Sequence, residues 1–245
     1  MSYQTSQEIV VITGANTGLG FEVAKQLLRN HGDRFYVFIG CRLKDCEALH
    51  IEVTDDDSIA KAAKTVGEKF GRVDVLHVNA GIAYPDKDML PAGESLSKCI
   101  MTTMHTNVAG AAQTADNFMP LLQKADNPRL VFMSTGLSSL TYSSKMQGLN
   151  KTFPSYSASK AALYMIMLYF WSRFGNEVRI NACSPGFRGT AINDFGSHAG
   201  PGHKPGPIEL GARNAVRLTL LGKDGDSGTH TDWRDDAEEW SAVPW

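Results

Sequence analysis

The residues with most to offer a reaction are Tyr156 and Lys160, in Ser155-Tyr156-Ser157-Ala158-Ser159-Lys160. Residues four apart on a helix share a face, so a helix here would point both side chains the same way. A free phenol titrates near about 10, too high to exchange protons readily at neutral pH. A neighbouring ammonium stabilises the phenolate and lowers that value, which would make Tyr156 a usable acid or base. Taken alone, the pair describes equally well the wet side of an ordinary helix. Its meaning depends on what the rest of the chain delivers to it.

The helix itself is supplied by the apolar run from Ala161 to Trp171. Far upstream, Glu8-Ile9-Val10-Val11-Ile12 has the short β-branched composition of a buried parallel strand. It runs into Thr13-Gly14-Ala15-Asn16-Thr17-Gly18-Leu19-Gly20 and then a helical pattern from Phe21 to Leu28. Strand, glycine-rich turn and helix in that order build an anion site. The glycines let backbone approach a pyrophosphate, and the helix start supplies unpaired N–H groups and the positive end of a dipole. The second strand, Phe35 to Gly40, ends at Cys41-Arg42, with no acid before Asp45. An acid past this strand suits a ribose 2′-hydroxyl and an arginine suits a 2′-phosphate. Arg42 therefore reads as an NADP-selective contact, with a solvated arginine at a strand end as the plainer alternative.

Ala48 to Val53 has the pattern of a third strand, and Thr54-Asp55-Asp56-Asp57 would cap a helix through Phe70. The link into that strand is out of proportion. Parallel neighbours need a crossover of a dozen or more residues, and only Cys41 to Ala48 separate these two. At about 3.3–3.6 Å per extended residue, this stretch barely returns along a strand. The expectation is either an unusually stretched link or a crossover helix missing from this sequence. Val73 to Val78 gives a fourth strand, ending in Asn79-Ala80-Gly81. A long helical stretch over 94–124 contains Asn107, a poor helix former, either bending the helix and holding a water or merely solvated. Arg129 to Met133 delivers Ser134-Thr135 at a strand's carboxyl end, where open α/β sheets place their ligands. A polar loop over 136–153 precedes the Tyr156 helix. Glu177 to Cys183 is a sixth strand, closed by Ser184-Pro185-Gly186-Phe187-Arg188-Gly189-Thr190. Residues 191–207, rich in Gly and Pro, form a candidate substrate lid. Ile208 to Leu221 reads as a surface helix and Gly228 to Thr231 as a short last strand; the acidic, Trp-containing tail has no evident role.

The bounds set by composition are ordinary. A chain of 245 residues buries one sizeable core, and 42% hydrophobic with 20% charged residues is typical of a globular protein. A net charge of −2 gives no reason to expect nucleic acid or an anionic membrane as partner. No apolar run reaches spanning length, and the N-terminus is too polar for a signal peptide. Cys41, Cys46, Cys99 and Cys183 show no zinc or redox spacing, which fits free thiols in a cytoplasmic protein. A metal site at His198 and His203 is disfavoured.

Together these stretches resemble the short-chain dehydrogenase/reductase family across nearly the whole chain. The resemblance rests on Thr13-Gly14-x-x-x-Gly18-x-Gly20, Asn79-Ala80-Gly81, Asn107, Ser134-Thr135, Tyr156-x-x-x-Lys160 and Pro185-Gly186-x-x-x-Thr190. Asn181 to Phe187 and Gly211-Ala212-Arg213 look most like its carbonyl reductase branch. The resemblance implies a single Rossmann-type domain over 1–245 with a lid around 191–210. Its doubly wound, mostly parallel seven-stranded sheet would lie between two helical layers. It also implies NADP(H) as cofactor and a small carbonyl or alcohol as substrate. Tyr156 would donate a proton as hydride arrives, and Lys160 would lower its pKa and hold the nicotinamide ribose. Asn107 would anchor a water. Gly14, Asn16, Thr17, Gly18, Leu19 and Gly20 would hold the phosphates, with Arg42, Glu52, Val53 and Asn79 to Gly81 around the adenosine. Pro185, Gly186 and Thr190 would hold the carboxamide. The substrate-orienting hydroxyl falls at Thr135, with Ser134 or Ser138 as alternatives. The connection from Thr135 to Tyr156 is longer than the common form; it would reshape the substrate mouth and could obstruct the helix pairing through which many relatives form tetramers, while the resemblance implies a homodimer or homotetramer. Rival readings are an NADP(H)-binding sensor or scaffold without turnover, and an alcohol dehydrogenase working oxidatively. Phe153, Phe187 and Phe195 lean towards an apolar or aromatic carbonyl, or are simply core.

Overall fold

A computed structural model describes residues 6–40, 49–84, 95–145, 153–196, 204–236 and 238–245. The first strand, β1 (Glu8–Ile12), lies between two parallel neighbours, β2 (Phe35–Ile39) and β3 (Val75–Val78). The parallel order continues through β4 (Arg129–Met133), β5 (Arg179–Ser184) and β6 (His230–Arg234), and β7 (Glu239–Ala242) closes the far side antiparallel. The full sheet order is β2-β1-β3-β4-β5-β6-β7.

Side chains alternate across a strand, so the β-branched run of β1 feeds two cores at once. Val10 and Ile12 face a layer with α1 (Gly18–His31) and α7 (Ile208–Thr219), packed with Val23, Leu27, Ala212 and Leu218. Ile9 and Val11 share the opposite core with Ile59, Phe118, Leu163 and Phe170. That layer is built from α2 (Asp56–Phe70), α4 (Gly110–Leu122) and α6 (Pro154–Phe174). Both faces are covered, giving the doubly wound three-layer fold that the strand–helix alternation implies.

Most elements fall where the sequence puts them. Asp55 caps α2 by accepting from the N–H groups of Asp57 (3.0 Å) and Ser58 (3.2 Å), as its place before an apolar-periodic run predicts. Pro154 sits in the first turn of α6, where its missing N–H costs nothing. The region expected as a polar loop contains a 3₁₀ turn at Gly136–Ser138 and a short helix, α5 (Leu140–Lys145).

Two expectations need correction. Leu49 to Val53 is not a strand: it contributes one isolated bridge residue at His50. Leu49, Ile51 and Val53 are nevertheless buried at 6%, 2% and 8% exposure, so the alternating pattern reports core contact without ladder pairing. The short link leaves no crossover to bring this segment in as a parallel neighbour, and among the described residues β2 pairs with β1 alone. Residues 41–48, including Arg42, lie outside the described residues, as do His198 and His203. The second correction is at the tail, which supplies the seventh strand. Trp233 and Trp240 face each other across the antiparallel β6–β7 pair.

Candidate active site

Two features at the carboxyl ends of the parallel strands define a cleft. The first is the turn after β1. Gly14 has φ +62°, a left-handed backbone that favours glycine, and a β-carbon there would stand 2.9 Å from Ala80 Cα. The turn is stitched to the end of β3: Asn79 Nδ2 donates to the carbonyls of Thr13 (2.8 Å) and Gly14 (3.2 Å). The Thr13 hydroxyl accepts from the N–H groups of Asn79 (3.0 Å) and Ala80 (3.1 Å). Asn79 thus shapes the glycine turn with its own side chain. Thr17, at the N-cap of α1, makes no side-chain cap bond, and the first turn of α1 holds no acidic residue. Asn16 and Thr17 are exposed, and Gly18 and Leu19 half-exposed, around this helix start. A bare backbone cradle at a helix N-terminus fits a pyrophosphate, so these residues suit a dinucleotide.

The second feature is the polar cluster around Asn107. Helix α3 (Leu96–Met104) gives way to a π-helical turn, His105–Ala109, before α4 resumes. Asn107 lies in that turn, fully buried. Its Oδ1 accepts from the Ile82 N–H, while its Nδ2 donates to the Ile82 carbonyl and to Ser159 Oγ, each 2.9 Å. The side-chain amide is therefore spent on holding the strand-end segment after Gly81, and it interrupts the helix as its low propensity allows. Gly81 completes the junction: a β-carbon there would stand 3.2 Å from Asn107 Oδ1 and 3.5 Å from Lys160 Nζ.

Helix α6 turns Tyr156 and Lys160 into this cleft. Lys160 is 3% exposed and its Nζ donates to the Met133 carbonyl at 2.7 Å, at the end of β4. The ammonium lies 5.7 Å from the centre of the Tyr156 ring. Their electrostatics run opposite to the simplest expectation. Burial pushes the Tyr156 hydroxyl up to about 12 and pulls the Lys160 amine down to about 8. Desolvation penalises each charged form, and burial is the cause of both shifts. Tyr156 keeps part of its surface open to the cleft.

The hydroxyls after β4 sort themselves by exposure. Ser134 and Ser138 are buried, at 1% and 4%. Ser134 Oγ donates to Ser138 Oγ (3.3 Å), and Ser138 Oγ donates to the Thr135 carbonyl (2.7 Å). Thr135 keeps accessible surface, and its Oγ1 accepts from the Leu137 N–H at 3.3 Å. On the opposite wall, Thr190 faces the glycine turn: a β-carbon on Gly18 would lie 3.9 Å from Thr190 Cβ. Glu52 is turned to its own loop, where its Oε1 accepts from the Thr54 hydroxyl at 2.9 Å. Val53 is buried, and its carbonyl packs so tightly on α4 that a β-carbon at Gly110 would overlap it. Sequence reasoning missed Ser159 and the Met133 carbonyl. Ser159 lies three residues past Tyr156, on the same helical face, which was an available signal; a backbone carbonyl has none.

A sheet with a glycine turn after β1, and with a half-buried tyrosine beside a buried lysine and asparagine at the ends of β3 and β4, suits a family of oxidoreductases. The chain belongs to the short-chain dehydrogenase family, whose model matches residues 8–198. The short-chain dehydrogenase/reductase ATR10 of Stachybotrys chlorohalonatus is 46% identical over 265 aligned positions, covering 99% of this chain and 95% of that protein. That span exceeds this chain's 245 residues, so the relative carries residues with no counterpart here. The short-chain dehydrogenase/reductase tropE of Talaromyces stipitatus is 31% identical, over 91% of this chain and 94% of its own length. Among solved structures, an NADPH-bound carbonyl reductase from chicken fatty liver superposes with a TM-score of 0.80 at 24% identity, over 98% of this chain and all of that one. No helix among the described residues is long and apolar enough to cross a membrane.

Proposed function

We propose that the protein is an NADPH-dependent ketoreductase acting on a ketone, aldehyde or quinone carbonyl. The observation that carries the reading is the convergence of Tyr156, Lys160 and Asn107 beside the glycine cradle, in a chain of an oxidoreductase family. The glycine cradle would hold the pyrophosphate of NADPH, a cofactor that would supply the hydride. Tyr156 holds a proton at its hydroxyl, which a phenol titrating near about 12 retains at neutral pH. Thr135 presents the accessible hydroxyl on the facing wall and orients the substrate oxygen as charge develops there. Lys160, with an amine that titrates near about 8, carries a positive charge at neutral pH that stabilises a tyrosinate after proton donation. Asn107 fixes the segment on which the cradle and the amine meet. Pro185, Gly186 and Thr190 form the wall assigned to the carboxamide. The preference for NADPH over NADH rests on Arg42, directly past the second strand.

The test is a screen of NADPH oxidation over quinones, aromatic ketones, steroids and aliphatic aldehydes. Replacing Tyr156 by Phe is expected to lower turnover by at least about a hundredfold, the scale of a lost general acid, with NADPH binding intact. Undiminished reduction would remove Tyr156 from the mechanism, and tight binding without turnover on any carbonyl would favour a sensor. Replacing Arg42 by Ala should erase the preference for NADPH; an unchanged ratio defeats that assignment.

A further inference from the structure

Arg188 stands in the middle of Pro185-Gly186-Phe187-Arg188-Gly189-Thr190, a place where a charged side chain has no contact with solvent to gain. It is 4% exposed. Its Nε donates to the carbonyl of Pro185 in its own loop (2.7 Å), and its two terminal nitrogens donate to both oxygens of Asp235 (2.6 and 2.8 Å). Asp235 belongs to the turn between β6 and β7, so the guanidinium ties the loop after β5 to the C-terminal hairpin. A two-pronged arginine–carboxylate pair fixes orientation as well as distance.

The surroundings are built to admit this side chain. A β-carbon at Gly206 would overlap Arg188 Nη1, and one at Gly211 would come within 2.8 Å of its Cγ. A side chain at either position would push Arg188 out of its present place. Backbone contacts extend the same tie to Thr190. The Arg188 carbonyl accepts from Asn193 Nδ2 (2.7 Å), and Asn193 Oδ1 accepts from the Thr190 N–H (3.0 Å). Arg188 also bridges to Gly206, which closes the base of the excursion after Thr190.

We infer that Arg188 and Asp235 are positioning residues, holding the Pro185–Thr190 wall in the register that receives the nicotinamide end of the cofactor. The inference rests on the cofactor reading above and adds to it the device that sets one wall. The pair touches the loop from behind and acts through it. Loosening it should affect the nicotinamide half of the ligand and spare the adenosine diphosphate half, which the glycine turn holds.

The test compares two ligands by fluorescence or calorimetric titration: NADPH, and 2′-phospho-ADP-ribose, which lacks the nicotinamide. Asp235 is partly exposed, so Asp235→Asn keeps the shape of the turn. Asn193→Ala cuts the second tie from the half-exposed side and decides the matter if the first variant does not fold. Asp235→Asn, which removes a charge-assisted pair, is expected to weaken NADPH binding by about tenfold, and Asn193→Ala, which removes neutral hydrogen bonds, by about threefold to tenfold, while 2′-phospho-ADP-ribose changes less than about twofold. A purely structural role would weaken both ligands alike or lower the melting temperature alone. Either result, or unchanged binding of both, overturns the inference. Wild-type protein that binds neither ligand would remove the cofactor reading, and the inference with it.

Discussion

Burial of the Lys160 amine can be separated from its proposed part in catalysis by changing pH. In the unfolded chain a lysine holds its proton to about 10.5, whereas in the folded protein the amine releases it near about 8. Between these values the unfolded state binds more protons, so stability should rise with pH across that window and level off above it. The full span corresponds to roughly 3 kcal/mol. Urea denaturation at pH 7 and at pH 10 is expected to show this gain in the wild type and its loss in Lys160→Met. Parallel stabilities at the two pH values would mean that the ammonium is hydrated. This residue also marks a limit of the sequence. A tyrosine and a lysine four apart on one helix could be read from spacing, but the sign of the balance between pairing and desolvation could not. It depends on the Met133 carbonyl and the Gly81 backbone lying against the amine, and those contacts are set by three-dimensional packing.

The π-helical turn at His105–Ala109 shows the same division among elements. The low helix propensity of Asn107 flagged an irregularity inside a long helix, and the bend is there. The partner, Ile82, lies 25 residues away and carries no mark in its own residue type. Replacing Asn107 by Ala would leave both polar groups of the Ile82 backbone without their partner, at a cost of roughly 2–3 kcal/mol. Chemical denaturation should find that loss, whereas Asn117→Ala, whose amide bonds only the Gln113 carbonyl on the helix surface, should stay within about 0.5 kcal/mol. A cost below about 1 kcal/mol for Asn107→Ala would mean that water replaces the amide. The segment from Leu49 to Val53 illustrates the opposite error. Its alternating apolar residues were legible and correctly buried, but a strand needs a neighbour as well as a pattern. The clue against it was also in the sequence, as a link too short to be a crossover.

Over the whole molecule, most strands and helices were readable from hydrophobic runs and turn residues and the doubly wound fold from the family resemblance, while the role of the tail was not. Trp233, Trp240 and Trp245 looked like an unassigned aromatic cluster. In the fold, β7 pairs with β6, Val243 donates to the His230 carbonyl at 2.9 Å, and the Trp245 ring stacks on Tyr164 at 5.1 Å between centres. The Trp245 carbonyl accepts from the Thr141 N–H at 2.6 Å, so the tail reaches the segment that follows Thr135. Trp245→Ala should free that segment. Hydrogen exchange at the Thr141 amide is expected to quicken by about tenfold or more, since the amide loses local protection without global unfolding. Exchange unchanged at Thr141 would show that the ring is not what holds the tail down.

These contacts set an order of events during synthesis. The glycine turn, the Asn107 turn and the Tyr156 helix all precede residue 175, but the layer over α1 is completed only by α7. Asp235 and Trp245 follow after a further stretch of chain, and they brace the two sides of the cleft, one behind Pro185–Thr190 and the other beside Thr141. The Tyr156 helix is therefore made before the residues that tie down the segments on either side of it.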